Sequence, residues 1–250
     1  MFYSENLKKL RNIKHCFFSK KNGFSKGIYK SLNCGKGSKD KKKYIHKNLR
    51  FVSKFMGVNK NKLVLMHQTH SNKVIEITKN NFKTKIKADA IVTRMKGIAL
   101  GVVTADCVPI ILYDVKNQII GCIHSGWKGA YSDIVKKTIK KIKKMSPNNL
   151  IYACMGPCIA QKSYEVDLIF FKKFINLSKK NKKYFSRKNS AKKLFNLRKF
   201  VSDKLIKQKV KVDHVNKDTY AQKSNFFSYR RSIKLVEKDY GRCISTVCMP

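Results

Sequence analysis

The chain has 250 residues, 42% of them hydrophobic, enough to build a buried core and too many for a globally disordered polymer. Lys and Arg total 57 against 14 Asp and Glu, a net charge of +43, yet only eight of the 57 are Arg and the Lys are scattered over nearly every polar face. That scatter, with abundant Asn, Ile, Phe and Tyr, matches the profile of an AT-rich genome, so the charge predicts salt-dependent, non-specific nucleic-acid binding without making it the function.

No apolar run approaches the length of a membrane span; the longest is broken by Asp106 and Pro109. The N-terminus lacks the apolar region of a secretory signal. Most of the eight Cys sit inside apolar runs, where buried thiols belong. A cytoplasmic protein with reduced cysteines is therefore expected.

In chain order, Lys14 to Ser19 reads as a short strand. Lys20 to Gly37 is a loop with four Gly, either a mobile basic surface or a place where backbone approaches something closely. Asp40 to Met56 has apolar residues at near-helical spacing and predicts an amphipathic helix ended by Gly57. Leu63 to Met66 and Val74 to Ile77 are strands flanking the polar turn His67 to Asn72. Ala88 to Thr93 and Ile98 to Val103 resemble a hairpin around Lys96-Gly97. Val108 to Tyr113 and Ile119 to Ile123 are strands, and Ala130 to Lys144 is a helix. Leu150 to Met155 is a strand broken by Gly156-Pro157. Tyr164 to Leu177 and Leu194 to Ile206 are helices, separated by a Lys-rich run, Ser178 to Lys193, that reads as a solvated loop. Val210 to Val215 and Ile244 to Met249 complete the strands. With no repeat and no Pro-rich linker, the expectation is one α+β domain over residues 1–250.

The chemistry-bearing residues cluster at strand ends. Thr104-Ala105-Asp106-Cys107 places a carboxylate beside a thiol between two apolar runs. His124-Ser125-Gly126-Trp127-Lys128-Gly129 ends a strand in an imidazole and a Gly-rich turn before a helix, a geometry that aims N–H groups at an anion. His67, His70, Cys107 and His124 are candidate ligands for a catalytic zinc. His67 and His70 point to opposite faces if extended; His70, deeper in the turn, is preferred and His67 is the fallback. Asp106 reads either as a general acid/base beside a metal or as a turn-holding Asp. Cys107 with His124 could instead form a nucleophile and base. In a chain where Lys replaces Arg almost everywhere, Arg230, Arg231 and Arg242 point to bidentate grip on phosphate or carboxylate, or to structural bonds to carbonyls. Phe227, Ser228 and Tyr229 alternate as in a strand with one face buried. Trp127 stacks on a flat ligand or packs on the following helix.

Five ordered motifs carry a family resemblance: Gln68-Thr69-His70; Thr104 to Pro109; His124 to Gly129; Gly156 to Ile159 with Ser163 to Val166; and Phe227 to Arg231. Ser31-Leu32-Asn33-Cys34-Gly35 and Asn48 fit its N-terminal pattern. The chain, over about residues 12–250, resembles the bacterial family once called multicopper polyphenol oxidase or laccase-domain proteins. That family is similar to purine nucleoside phosphorylases that include a human macrophage enzyme, and some members are described as peptidoglycan-editing factors. The resemblance implies a single α+β sandwich of mixed sheets flanked by helices. It implies a zinc site of His70, Cys107 and His124 and phosphorolysis of adenosine, inosine, guanosine and methylthioadenosine with adenosine deamination, in which Asp106 is the expected proton carrier. Phosphate and nucleoside would be held by some of Lys20, Asn33, Gly126, Arg230 and Arg231. Copper is the less expected metal, since copper-dependent phenol oxidation asks for more His ligands than the six of this chain readily supply. An early Arg of the family is Lys20 here, its Asn-Arg pair appears as Asn48-Leu49-Arg50, and a late Cys-Thr pair reads Asp218-Thr219. A cell-wall-precursor hydrolase using Cys107 as nucleophile and a basic nucleic-acid-binding protein are the alternative expectations.

Overall fold

The computed structural model describes residues 1–250. Its centre is the hairpin Val108–Asp114 and Ile119–Ser125, paired from Val108↔Ser125 to Asp114↔Ile119, and every residue of both strands is buried. Burial on both faces explains why these strands read as continuous apolar runs rather than an alternation. Ile110 and Leu112 face one core while Ile111 and Tyr113 face another. Burying an Ile or Leu side chain stabilises by roughly 1.5–3 kcal/mol, so Ile110, Ile111 and Leu112 each contribute on one side or the other.

The hairpin lies within a six-stranded sheet ordered Lys211–His214, Ile151–Met155, Val108–Asp114, Ile119–Ser125, Ala90–Thr93 and Val74–Glu76. A five-stranded sheet, ordered Lys14–Phe17, Cys243–Cys248, Ala99–Thr104, Leu63–His67 and Ile86–Lys87, packs on one of its faces. Val64, Leu100, Val102 and Val247 of the second sheet meet Ile91, Ile111, Ile120 and Cys122 of the first in one apolar layer. The opposite face of the six-stranded sheet is covered by helices Ile134–Met145 and Leu197–Lys207, through Ile139, Ile142, Phe200 and Leu205. The opposite face of the five-stranded sheet is covered by helix Lys42–Met56, through Ile45, Leu49, Val52 and Met56. Gly57 ends that helix at φ 78°, as its position in the sequence predicts. The architecture is an α+β sandwich of two mixed sheets between helical layers.

Four expectations are corrected. Ala90–Thr93 and Ala99–Thr104 are not a hairpin: they pair in different sheets, and the Lys96-Gly97 turn carries the chain from one layer to the other. The helix expected from Ala130 begins earlier, as a short helix Trp127–Tyr131, and restarts at Ile134 after Asp133 takes φ 64°. The Lys-rich run is not only solvent loop. Phe185–Arg187 and Lys192–Phe195 join Glu165–Asp167 in a small sheet, because Phe185 and Phe195 stack on each other and pack on Phe174. Ser228 is not mid-strand; its Oγ accepts from Arg231 N and caps helix Tyr229–Lys234.

At one end of the sandwich the chain crosses between the sheets three times: from His67 to Val74, from Lys87 to Ala90, and from Thr104 to Val108. Those crossings build the site.

Candidate metal centre and cavity

The first crossing carries His70. Gln68 secures its start, donating from Nε2 to Val103 O at 2.8 Å and accepting from Val103 N at 2.9 Å, so the side chain extends the pairing of Leu63–His67 with the next strand. His70 itself adopts φ 58°, a costly region for a residue with a Cβ that persists only where surroundings fix it. Asp89, on the second crossing and fully buried, supplies that fixation. Its carboxylate accepts from His70 N (2.9 Å), Thr69 N (3.1 Å), Ser71 N (2.7 Å) and Ser71 Oγ (2.6 Å). It also takes His124 Nδ1 at 2.8 Å. Burial opposes the Asp89 charge, but the bonds from His124 and Ser71 prevail and hold the carboxyl well below the usual carboxylate range. One aspartate thus sets the backbone of one imidazole and the ring of the other.

With Nδ1 donating to Asp89, His124 keeps Nε2 as its free nitrogen, the arrangement in which a carboxylate orients a metal-binding imidazole. His70 Nε2 lies 4.0 Å from Cys107 Sγ, and the two imidazoles meet edge to face at 4.7 Å. One ligand atom from each of His70, Cys107 and His124 falls within 4.8 Å of the others, and no other group of three or more possible ligands forms in the molecule. Burial pushes the Cys107 thiol up, but His124 and His70 pull harder and bring it to about 7. Burial pulls His124 down, but Cys107 and Asp89 raise it to about 9. Each shift favours the charged form of its group because the other is near, and a metal ion bound by the pair would displace the shared proton. Gly126 is required sterically: a Cβ there would stand 2.8 Å from Cys107 Sγ and 3.1 Å from His70 Cδ2.

Asp106, next to Cys107 in sequence, faces other business. It is buried with φ 82°. Its carboxylate accepts from Thr219 Oγ1 (2.6 Å), Ser228 Oγ (2.8 Å) and Arg230 N (2.7 Å), and its carbonyl from Ile159 N (3.0 Å). Burial pushes its carboxyl up against the pull of those donors.

Beside His70, Cys107 and His124 lies a cavity of about 790 Å³, large enough for a drug-sized ligand. His70, Cys107 and His124 form one part of its wall; Cys34 to Gly37, Lys83 to Ile86, Tyr240 and Arg242 form others. Four cations line it, Lys36, Lys83, Lys85 and Arg242, and no carboxylate does. His67 also lines it without joining the ligand group.

Other residues singled out from sequence sit around this cavity rather than on it. Asn33 is fully buried; its Nδ2 donates to Ser38 Oγ and Asp40 Oδ2, and its Oδ1 accepts from Gly35 N and Arg242 N. Lys20 holds its Nζ 5.4 Å over the Phe227 ring. The Arg230 guanidinium stands 5.3 Å over Tyr164. Arg231 donates to three carbonyls, Thr219 (2.9 Å), Tyr220 (2.7 Å) and Phe226 (2.5 Å). Trp127 packs on Phe170, rings 5.1 Å apart, and so against a different helix from the one that follows it. Sequence reasoning missed Asp89. Its only signal was a single acid opening the apolar run Ala88 to Val92, where a buried carboxylate demands donors. It also missed Lys83 and Lys85, invisible among so many lysines.

The family model described as multi-copper polyphenol oxidoreductase laccase matches residues 14–250. A purine nucleoside phosphorylase of Rickettsia conorii is 35% identical over 191 residues, 75% of this chain and 78% of that protein. An adenosine deaminase from an unknown prokaryotic organism is 38% identical over 120 residues, 44% of this chain and 46% of that protein. Among solved structures, a Neisseria meningitidis protein described as belonging to the family DUF152 superposes with a TM-score of 0.86 at 27% identity, covering 96% of this chain and 95% of that one.

Proposed function

The chain belongs to the family described as multi-copper polyphenol oxidoreductase laccase, and from that premise we propose that it is a metal-dependent purine nucleoside phosphorylase. The observation that carries this reading is one cavity with a two-His, one-Cys donor group on one wall and four cations without a carboxylate on the others. The names of its relatives supply the substrate class: purine nucleosides and phosphate.

Zinc is the metal we assign. Two imidazoles and a thiolate are the kind and number of protein ligands that catalytic zinc sites use, with one position left open. Asp89 orients His124 and Gly126 leaves room beside Cys107. When bound, the ion supplies Lewis-acid polarisation. A His₂Cys set also suits copper, but oxidase chemistry with several coppers needs further ligand groups, and the residues form none.

In phosphorolysis an oxygen of hydrogen phosphate forms a bond to ribose C1′ as the C1′–N9 bond breaks. The electron pair leaves with the purine, which takes up the proton of the phosphate. Most of the work is positioning two reactants in one pocket and holding negative charge against its cations. Lys36, Lys83, Lys85 and Arg242 are placed to hold that charge. Asp106, bonded to Thr219, Ser228 and Arg230, fixes the segments behind Cys107, a positioning role in this reading. We extend the nucleoside set to adenosine, inosine, guanosine and methylthioadenosine.

The test is to incubate metal-analysed protein with adenosine and inorganic phosphate and identify products by mass spectrometry. Adenine and ribose-1-phosphate, formed only with phosphate, are expected; absence of phosphate-dependent turnover of every one of the four nucleosides overturns the reading. Adenosine deamination is the second reading, favoured by the deaminase relative. It predicts inosine in the same reaction with phosphate omitted.

A further inference from the structure

We propose that Arg242 and the loop Cys34–Gly37, on which its side chain lies, form the phosphate subsite of the cavity. The proposal rests on the phosphorylase reading and adds which residues receive the anion.

Arg is scarce in this chain, eight residues among 57 cations, and three of the eight fall in the segment from Arg230 to Arg242. The three are engaged differently. Arg231 is saturated by backbone carbonyls. Arg230 lies over Tyr164 and does not line the cavity. Arg242 does line it. Of its guanidinium nitrogens only Nη1 has a protein acceptor, Tyr240 O at 3.0 Å, which leaves Nε and Nη2 free to donate. The guanidinium carbon lies 4.2 Å from the centre of the Tyr240 ring, a cation–π contact that steadies the fork. Asp239 is 3.9 Å away, at the outer edge of ion pairing, and its other oxygen is taken by Tyr29 Oη and Lys39 N at 2.7 Å each.

The fork is also anchored from its backbone. Arg242 N and Gly35 N both donate to Asn33 Oδ1, and Cys34 N donates to Arg242 O at 3.0 Å. The Arg242 stem crosses Gly35 so closely that a Cβ there would meet Arg242 Cδ at 2.6 Å. Buried Asn33 therefore ties the loop and the arginine into one unit. In that loop the peptide N–H groups of Lys36 and Gly37 donate to nothing in the protein. A fixed guanidinium fork, two successive unpaired N–H groups and the Lys36 ammonium are the donor types that recognise a phosphate. Lys83 and Lys85 add charge from another part of the wall, and neither pairs with an acid. The cavity volume accommodates a nucleoside against the ligand group with phosphate against Arg242.

The experiment compares wild type, Arg242→Gln, Arg242→Lys and, as a charge control, the exposed Arg11→Gln. Phosphorolysis is measured against inorganic phosphate at saturating adenosine, with metal content and Tm recorded for each protein. Losing a charge-assisted pair predicts a roughly 10- to 100-fold rise in the phosphate KM of Arg242→Gln. The Lys variant falls between, because an ammonium acts as a point charge; the adenosine KM and metal content stay unchanged, and Arg11→Gln matches wild type. A folded Arg242→Gln enzyme with the wild-type phosphate KM overturns the proposal. A second readout needs no turnover: inorganic phosphate should raise the Tm of wild type and not of Arg242→Gln. If wild type turns over no nucleoside, the phosphorylase reading fails while this Tm comparison still decides the subsite. A shift in wild type lost in Arg242→Gln upholds it; equal shifts, or none in wild type, overturn it.

Discussion

Two buried carboxylates stand at the same end of the sandwich, each on a crossing between the sheets, and they gather their hydrogen bonds from opposite sides. Asp89 takes N–H and O–H groups from the His70 turn and the ring of His124. Asp106 takes its donors from Thr219, Ser228 and Arg230, more than a hundred residues downstream. Asp106 is the sequence neighbour of Cys107, yet the carboxylate that shapes the His70–Cys107–His124 group is Asp89. What a buried carboxylate does is read from the groups that donate to it, because in a low-dielectric interior those groups decide its charge and its rigidity.

The strongest way to break this contrast is to remove the ligand group that Asp89 serves. Cys107→Ala should take zinc from about one ion per chain to none and abolish phosphorolysis, measured by metal analysis and product assay. Wild-type turnover in that variant sinks the site. Next, Asp89→Asn keeps the volume but replaces the acceptor of the His124 N–H. Metal affinity and turnover should fall about 10- to 100-fold, read by titration against a competing chelator. Asp106→Asn should leave metal affinity near wild type and lower stability by about 1–3 kcal/mol through its disturbed donors, measured by urea unfolding. If the two variants lose metal equally, the division between the carboxylates is false.

The smallest effect lies in a third buried group, away from both. His15 accepts from Ser4 N at 2.9 Å, and burial, with Lys8 nearby, brings its pKa down to about 4. The folded state therefore binds a proton less readily than the unfolded chain. Stability from His15 is complete above about pH 6.5 and is lost as pH falls toward 4; at pH 5.5 the loss is about 1 kcal/mol. Urea unfolding at pH 7 and 5.5 should show His15→Gln losing about 1 kcal/mol less stability than wild type between the two pH values.

The sequence held some of this plainly. Continuous apolar runs at Val108 to Tyr113 and Ile119 to Ile123 announced strands, and Gly57 announced a helix end, because those signals are local. The same property hid the layer crossing at Lys96-Gly97: when both flanking strands are apolar on both faces, a Gly turn reads alike whether it closes a hairpin or changes sheets. His70, Cys107 and His124 were legible as types at strand ends, and the fold brings the three together. Asp89 was not, since its partners are backbone N–H groups, which every sequence has. Lys83 and Lys85 were masked by composition, and the Phe185 and Phe195 strands by the lysines around them. Arg242 stood out only because the chain uses so little arginine.

In the five-stranded sheet, Cys243–Cys248 lies between Lys14–Phe17 and Ala99–Thr104, and Met249 O receives Gly97 N at 2.8 Å. During synthesis on the ribosome, the early strands wait with their inner edges unpaired until this far segment arrives. Such long-range closure is slow and leaves apolar edges open to other chains. Truncations that remove Cys243 to Cys248 should therefore aggregate on folding, even though they leave His70, Cys107 and His124 in place.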